Sequence, residues 1–189
     1  MNTMMLSIFS GLGEKLYDSL IDGNQYKLIL TGLQNTLIMA VCATLMGTLI
    51  GMVIAVIKYF AQDNRKLWIL DKLCDLYTTV IRGTPVMVQL LILATVILTF
   101  MKEALPIAII GFGINSGAYV AEIIRGGIAS VDRGQAEAGR SLGLTQMQTM
   151  RHIVLLPQAI KNILPALGNE FIALLKETSI ARLCGGVTI

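Results

Sequence analysis

Asp71 and Asp75 stand one helical turn apart, so a helix places both carboxylates on one face. At a membrane surface such a pair can hold a metal ion for phosphoalcohol transfer, which makes a small membrane-embedded phosphotransferase the enzyme alternative. No further aspartate cluster supplies the second half of that metal cage, and with Lys72 between them the two carboxylates read as the solvated face of an interfacial helix. Other reactive groups are equally sparse. The single histidine, His152, and three scattered cysteines, Cys42, Cys74 and Cys184, cannot assemble a Cys/His metal site or a disulfide framework. Cys42 lies inside an apolar run and reads as a small packing residue. The sequence holds no G-x-x-x-x-G-K-[ST] and no Gly-Lys pair, so it carries no P-loop ATP site. Catalytic residues, metal and cofactor are therefore all assigned as none.

The elements that position the remaining polar residues are membrane helices. Of 189 residues, 54% are apolar and 14% charged, with a mean hydropathy of +0.70, whereas soluble domains carry about 25% charged residues. Residues 28 to 57 have no charge at all, more than the roughly 20 residues that one span needs. We read residues 1–189 as a single all-α polytopic transmembrane bundle with spans at about 28–57, 80–101, 104–124 and 160–180 and a loop over 126–157. In the first span Gly47 and Gly51 form a small-xxx-small pair that lets another helix approach. Trp68 and Tyr77 suit the headgroup level, and Lys102 with Glu103 marks a tight hairpin before Pro106. The segment 162–175 is short and contains Glu170, so the fourth span is assigned on weaker hydropathy than the others.

Lys and Arg number two before the first span, five in 58–82, one in 102–103, five in 122–161 and two beyond. Basic excess marks the cytoplasmic side, which predicts both termini outside. The first charges are Glu14 and Lys15, so the basic n-region of a secretory signal is missing and the N-terminus is expected to be retained. Glu122 and Arg125, at i and i+3, are expected to pair at a helix end.

The loop has internal order. Gly126 and Gly127 are expected to stop the third helix, and Asp132 with Gln135 resembles a capping box that opens a helix from Arg133 to Leu142, ended by Gly143. Thr145 with Gln148 caps a second helix that carries Leu144, Met147, Met150 and Val154 at helical spacing. Helix-turn-helix geometry also serves DNA, but few arginines and a tether to the membrane at both ends exclude nucleic acid. An exposed apolar stripe of Leu144, Met147 and Met150 suits a docking surface for a cytoplasmic protein.

The string EAGRSLGLTQMQTMRHIVLLPQAI, Glu137 to Ile160, resembles the EAA loop of bacterial ABC-importer permeases. Glu137, Ala138, Gly143 and Ile153 fall on that pattern, whereas Gly139 replaces an alanine and an additional leucine puts Pro157 one place late. Three further strings resemble the polar amino-acid branch (His/Glu/Gln/Arg/opine): RGTP at 82–85, NSGAYVAEIIRGGI at 115–128 and LPALGNEFIALLKETSI at 164–180. The resemblance covers about residues 25 to 180.

That resemblance implies a permease subunit of the bacterial cytoplasmic (inner) membrane, with its N-terminus outside by the charge count. Its implied partners are a cytoplasmic ABC ATPase dimer, a second permease subunit, identical or homologous, and an extracytoplasmic amino-acid-binding protein. Residues 126–157 become the coupling hairpin: Glu137 engages the ATPase, Ala138 permits close approach, Gly143 turns the chain, and Leu144, Met147, Ile153 and Pro157 complete the docking segment. The substrate path is assigned to Asn115, Ser116, Asn169 and Glu170, because polar groups at membrane depth face a cavity or a partner. Glu170 either holds the α-ammonium or a basic side chain of an amino acid, or merely pairs with Lys176 or lies at the interface. Members of this branch usually finish with one more span, and this chain stops at Ile189. A truncated, non-transporting membrane remnant is thus the other alternative.

Overall fold

Nothing in residues 25–61 interrupts a helix: there is no proline, and Thr31 and Thr44 return their hydroxyls to the carbonyls of Lys27 and Ala40 at 2.9 and 2.7 Å. These residues form α1 (Gln25–Ala61), the first element of a computed structural model that describes residues 25–61, 65–101, 103–151 and 158–184. After a short 3-10 turn, α2 (Trp68–Gly83) buries Cys74 and Thr78 and exposes Trp68, Ile69, Leu73 and Leu76.

The expected continuous span over 80–101 is broken. Pro85 has no N–H to give the Ile81 carbonyl, and it forces Thr84 into extended backbone at φ −106° and ψ 132°. The chain restarts as α3 (Val86–Ile92) and widens into a π turn over Leu93–Ile97, where Leu98 N–H donates to the Leu93 carbonyl at 2.7 Å. Between α2 and this second arm the axis turns by 105°.

The central helix, α4 (Ala104–Ala129), runs past the expected stop at Gly126 and Gly127. A helix already held on both sides tolerates glycine, and Gly127 serves close approach instead: a Cβ there would collide with Ile163. The hairpin follows as α5 (Arg133–Ser141) and α6 (Gln146–Thr149), and α7 (Ile160–Glu177) ends in a 3-10 turn over Thr178–Cys184.

Helix α4 is the core. Gly47 of α1 meets Ser116 and Gly117, and Gly51 meets Val120 and Ala121, so α1 and α4 run parallel in close contact. Across α4, Gly127 faces Ile163 and Gly111 faces Leu90 and Leu93, so α7 and α3 run back along it. Met39, Leu90, Ala108, Phe112 and Leu174 fill the space between. Among the described residues, α1 and α4 are long and apolar enough to cross a membrane, and α2 with α3 adds a third candidate if counted as one bent unit. Helix α7 carries Lys161, Glu170, Lys176 and Glu177 within its 18 residues and is not among them. The architecture is an all-α membrane bundle.

Candidate functional site

Asn115 and Ser116 are successive residues of α4 and therefore serve different neighbours. Asn115, buried, donates from Nδ2 to Gln89 Oε1 at 3.2 Å. Gln89 Nε2 in turn donates to the carbonyls of Ile81 at 2.6 Å and Thr84 at 2.8 Å, which are among those stranded by the break at Pro85. Gln89 therefore closes the α2–α3 bend and ties it to α4. Replacing Gln89 with leucine is expected to lower stability by about 1–3 kcal/mol, the loss typical of stranded buried acceptors. The thermal unfolding midpoint of the purified protein in detergent checks this; an unchanged midpoint would remove Gln89 from that role.

Ser116 is fully buried against Gly47, whose Cβ, if present, would stand 2.7 Å from that of Ser116. The Glu170 carboxyl comes within reach of the Ser116 hydroxyl from α7. Among the described residues Ser116 Oγ is buried and makes no hydrogen bond. Asn169 is exposed and is not brought to this pair. Lys176 is also exposed, and no ion pair joins it to Glu170 among the described residues.

A charged layer crosses the ends of α1, α2 and α4. Lys58 Nζ meets Asp75 Oδ1 at 2.5 Å, so Asp75, whose side chain is 44% exposed, keeps its place on the solvated face with Asp71 and Lys72 and also binds α1. The expected Glu122–Arg125 pair forms, with Nε and Nη2 donating at 3.0 and 2.8 Å, and Arg82 joins it at 3.6 Å while stacking 5.2 Å from the Tyr119 ring centroid. Tyr77 is not a headgroup anchor, since it donates its hydroxyl to the Ile114 carbonyl at 2.5 Å beside Gly117. Sequence reasoning passed over Gln89 and Arg82. Gln89 carried a signal, as the lone amide within the uncharged stretch 83–101.

The hairpin is held by local chemistry. Asp132 caps α5 by accepting from Gly134 N–H at 2.7 Å. At its other end Gly143, at φ +81°, allows Leu144 N–H to reach the Gly139 carbonyl at 3.2 Å and Gly143 N–H the Arg140 carbonyl at 3.0 Å. These two bonds make a Schellman turn. Thr145 and Gln148 then form a reciprocal capping box: Thr145 N–H donates to Gln148 Oε1 at 2.9 Å, and Gln148 N–H to Thr145 Oγ1 at 3.3 Å. Glu137, Ala138, Gly143 and Met147 are exposed, and Leu144 is half-buried. Met150 departs from the expected stripe because it packs inward on Val131 and Ala159, while Leu142 is 80% exposed and takes its place at the surface. Ile153, Val154 and Pro157, with His152, lie outside the described residues.

Comparison with known proteins places this geometry. Residues 47–188 match the family described as binding-protein-dependent transport system inner membrane component. A putative glutamine transport system permease protein of Rickettsia prowazekii (strain Madrid E) is 41% identical over 160 residues, 83% of this chain and 71% of that protein. An arginine transport system permease protein of Bacillus subtilis (strain 168) is 40% identical over 164 residues, 85% and 72% of the two chains. The crystal structure of an amino acid ABC transporter with histidines superposes with a TM-score of 0.78 at 43% identity, covering 89% of this chain and 77% of that one. These relatives are transport permeases, not enzymes. The chain belongs to the binding-protein-dependent transport system inner membrane components, as a multi-pass permease.

Proposed function

We propose that this chain is the permease subunit of an ATP-driven importer of polar amino acids, and that its hairpin docks on a separate ATPase. The observation that carries the docking half is the doubly capped hairpin, which presents Glu137, Ala138, Leu142 and Met147 to solvent on a turn held by its own hydrogen bonds. A solvated connector needs no such order. The names of the relatives, for glutamine, arginine and histidine, support a polar amino acid as substrate. A second permease subunit completes the path, an extracytoplasmic binding protein delivers the substrate, and an ATPase dimer moves the spans as rigid bodies. The basic-residue count supports four spans with the N-terminus outside.

The test is a pull-down of the tagged 189-residue chain from detergent-solubilised membranes after co-expression with a cognate ATPase. Retention of the ATPase is the expected result, and its loss would leave the non-transporting remnant as the better description.

Along the path, Glu170 offers a carboxylate to a substrate ammonium or guanidinium group, with Ser116 as a neighbouring hydroxyl. Glu170→Gln is expected to raise the half-saturating concentration for arginine uptake about ten-fold or more, since a hydrogen bond to a charged group contributes about 1.5–3 kcal/mol. ATPase retention should not change. Uptake kinetics identical to the unsubstituted protein would return Glu170 to a packing role.

A further inference from the structure

Among the described residues, α5 packs on α6 and makes no comparable contact with the membrane helices. Any force applied to the hairpin must therefore enter the bundle at its root, where the chain leaves α4 and joins α7. Three features hold that root together. Asn162 Nδ2 donates to Ser130 Oγ at 2.8 Å, and the same hydroxyl donates to the Gly127 carbonyl at 2.8 Å, so a side chain of α7 is bonded through Ser130 to the last turn of α4. Gly127 lacks the Cβ that would collide with Ile163, which lets the two helices touch there. Val131 and Ala159, one on each side of the root, are buried together with Ile128, Met150 and Ile163 around them.

We propose that this joint, Ser130 with Asn162 over Gly127, is the positioning element that makes α4 and α7 respond together to movement of the hairpin; this rests on the docking reading above. Packing at Val131 and Ala159 resists compression but is not directional. A hydrogen bond across the root resists sliding of α7 along α4, the motion that would absorb a push from below without passing it on. Because α4 touches α1, α2, α3 and α7, a displacement delivered there reaches the whole bundle. Ser130 and Asn162 are both exposed, so their substitution alters the joint without opening the core.

The experiment uses the full chain reconstituted in proteoliposomes with its second permease subunit, a cognate ATPase and a binding protein, and a mixture of radiolabelled glutamine, arginine and histidine. Ser130→Ala and Asn162→Ala should each retain the ATPase in a pull-down yet lower the amount of amino acid moved per ATP hydrolysed about five-fold. Ser130→Thr, which keeps the hydroxyl, should restore that ratio. An unchanged ratio in both alanine variants, with the ATPase retained, overturns the joint and leaves the docking reading intact. Failure of the unsubstituted chain to retain the ATPase overturns the docking reading and the joint with it.

Discussion

Gly51→Leu is expected to unfold or disperse the bundle, lowering stability by about 3 kcal/mol, the upper part of the usual range for overpacking. A Cβ at residue 51 would lie 2.6 Å from Val120 Cγ1 and 2.8 Å from the Ala121 backbone nitrogen. A side-chain rotamer change can relieve the first collision but not the second, so α1 would have to withdraw from α4. In a bilayer, helices associate through close van der Waals packing because lipid is as apolar as their side chains, and withdrawal removes that contact. Gly32→Leu supplies the control, since among the described residues nothing lies within 4 Å of a Cβ there. The thermal midpoint and monodispersity in detergent should fall sharply for Gly51→Leu and stay near the unsubstituted values for Gly32→Leu. Equal behaviour of the two variants would contradict the proposed seam.

The second large effect falls on docking and spares the bundle. Gly143→Val places a β-branched residue at φ +81°, a conformation that costs about 1–3 kcal/mol outside glycine. The Schellman bonds to Gly139 and Arg140 depend on that backbone, so α5 should lose its fixed angle to α6 and ATPase retention should fall about ten-fold or more, the equivalent of about 1.4 kcal/mol or more. The unfolding midpoint of the bundle should change little, because α5 leans on α6 alone to any extent among the described residues. Gly143→Asn is the informative companion: asparagine tolerates the left-handed region and should retain most of the docking. Full retention by Gly143→Val would show that the turn geometry is dispensable.

Local signals in the sequence were reliable at the hairpin, where neighbouring residues alone decide the outcome, whereas the equally local break at Pro85 was read through as a continuous span. Asp132, Gly143 and the Thr145–Gln148 pair act within four residues of themselves; Gly143 and the Thr145–Gln148 pair do what their type and spacing imply, and Asp132 caps α5 through Gly134 N–H, without a reciprocal Gln135 bond among the described residues. The Gly47–Gly51 pair announced a close helix contact, though not its partner. Misreadings arose where a residue answers to a distant one. Gly126 and Gly127 look like a stop because nothing in the sequence says that α7 will press against Gly127. Asp75 is solvated as its neighbours Asp71 and Lys72 suggest, but nothing in the sequence says that Lys58 of α1 will pair with it. Tyr77 looks like an interfacial anchor until the groove at Gly117 admits it to the Ile114 carbonyl.

Of the adjacent path residues Asn169 and Glu170, the sequence singled out Glu170 for its carboxylate but could not say that Asn169 would face away. Tertiary packing half-buries Glu170 and leaves Asn169 exposed. It likewise commits Asn115 to Gln89 and the α2–α3 bend. The sequence by itself determined the solvent, the helical class, the capped hairpin and the family resemblance, because hydropathy, turn chemistry and motif spacing are properties of contiguous residues. Only the tertiary structure decided that α4 is the central helix, that α1 runs parallel to it, that the bend at Pro85 turns the axis by 105° and is closed by Gln89, and that Ser130 meets Asn162. Those facts depend on which faces meet across the bundle, and in lipid that choice is made by shape and hydrogen bonding between helices distant in the chain, which no single segment encodes.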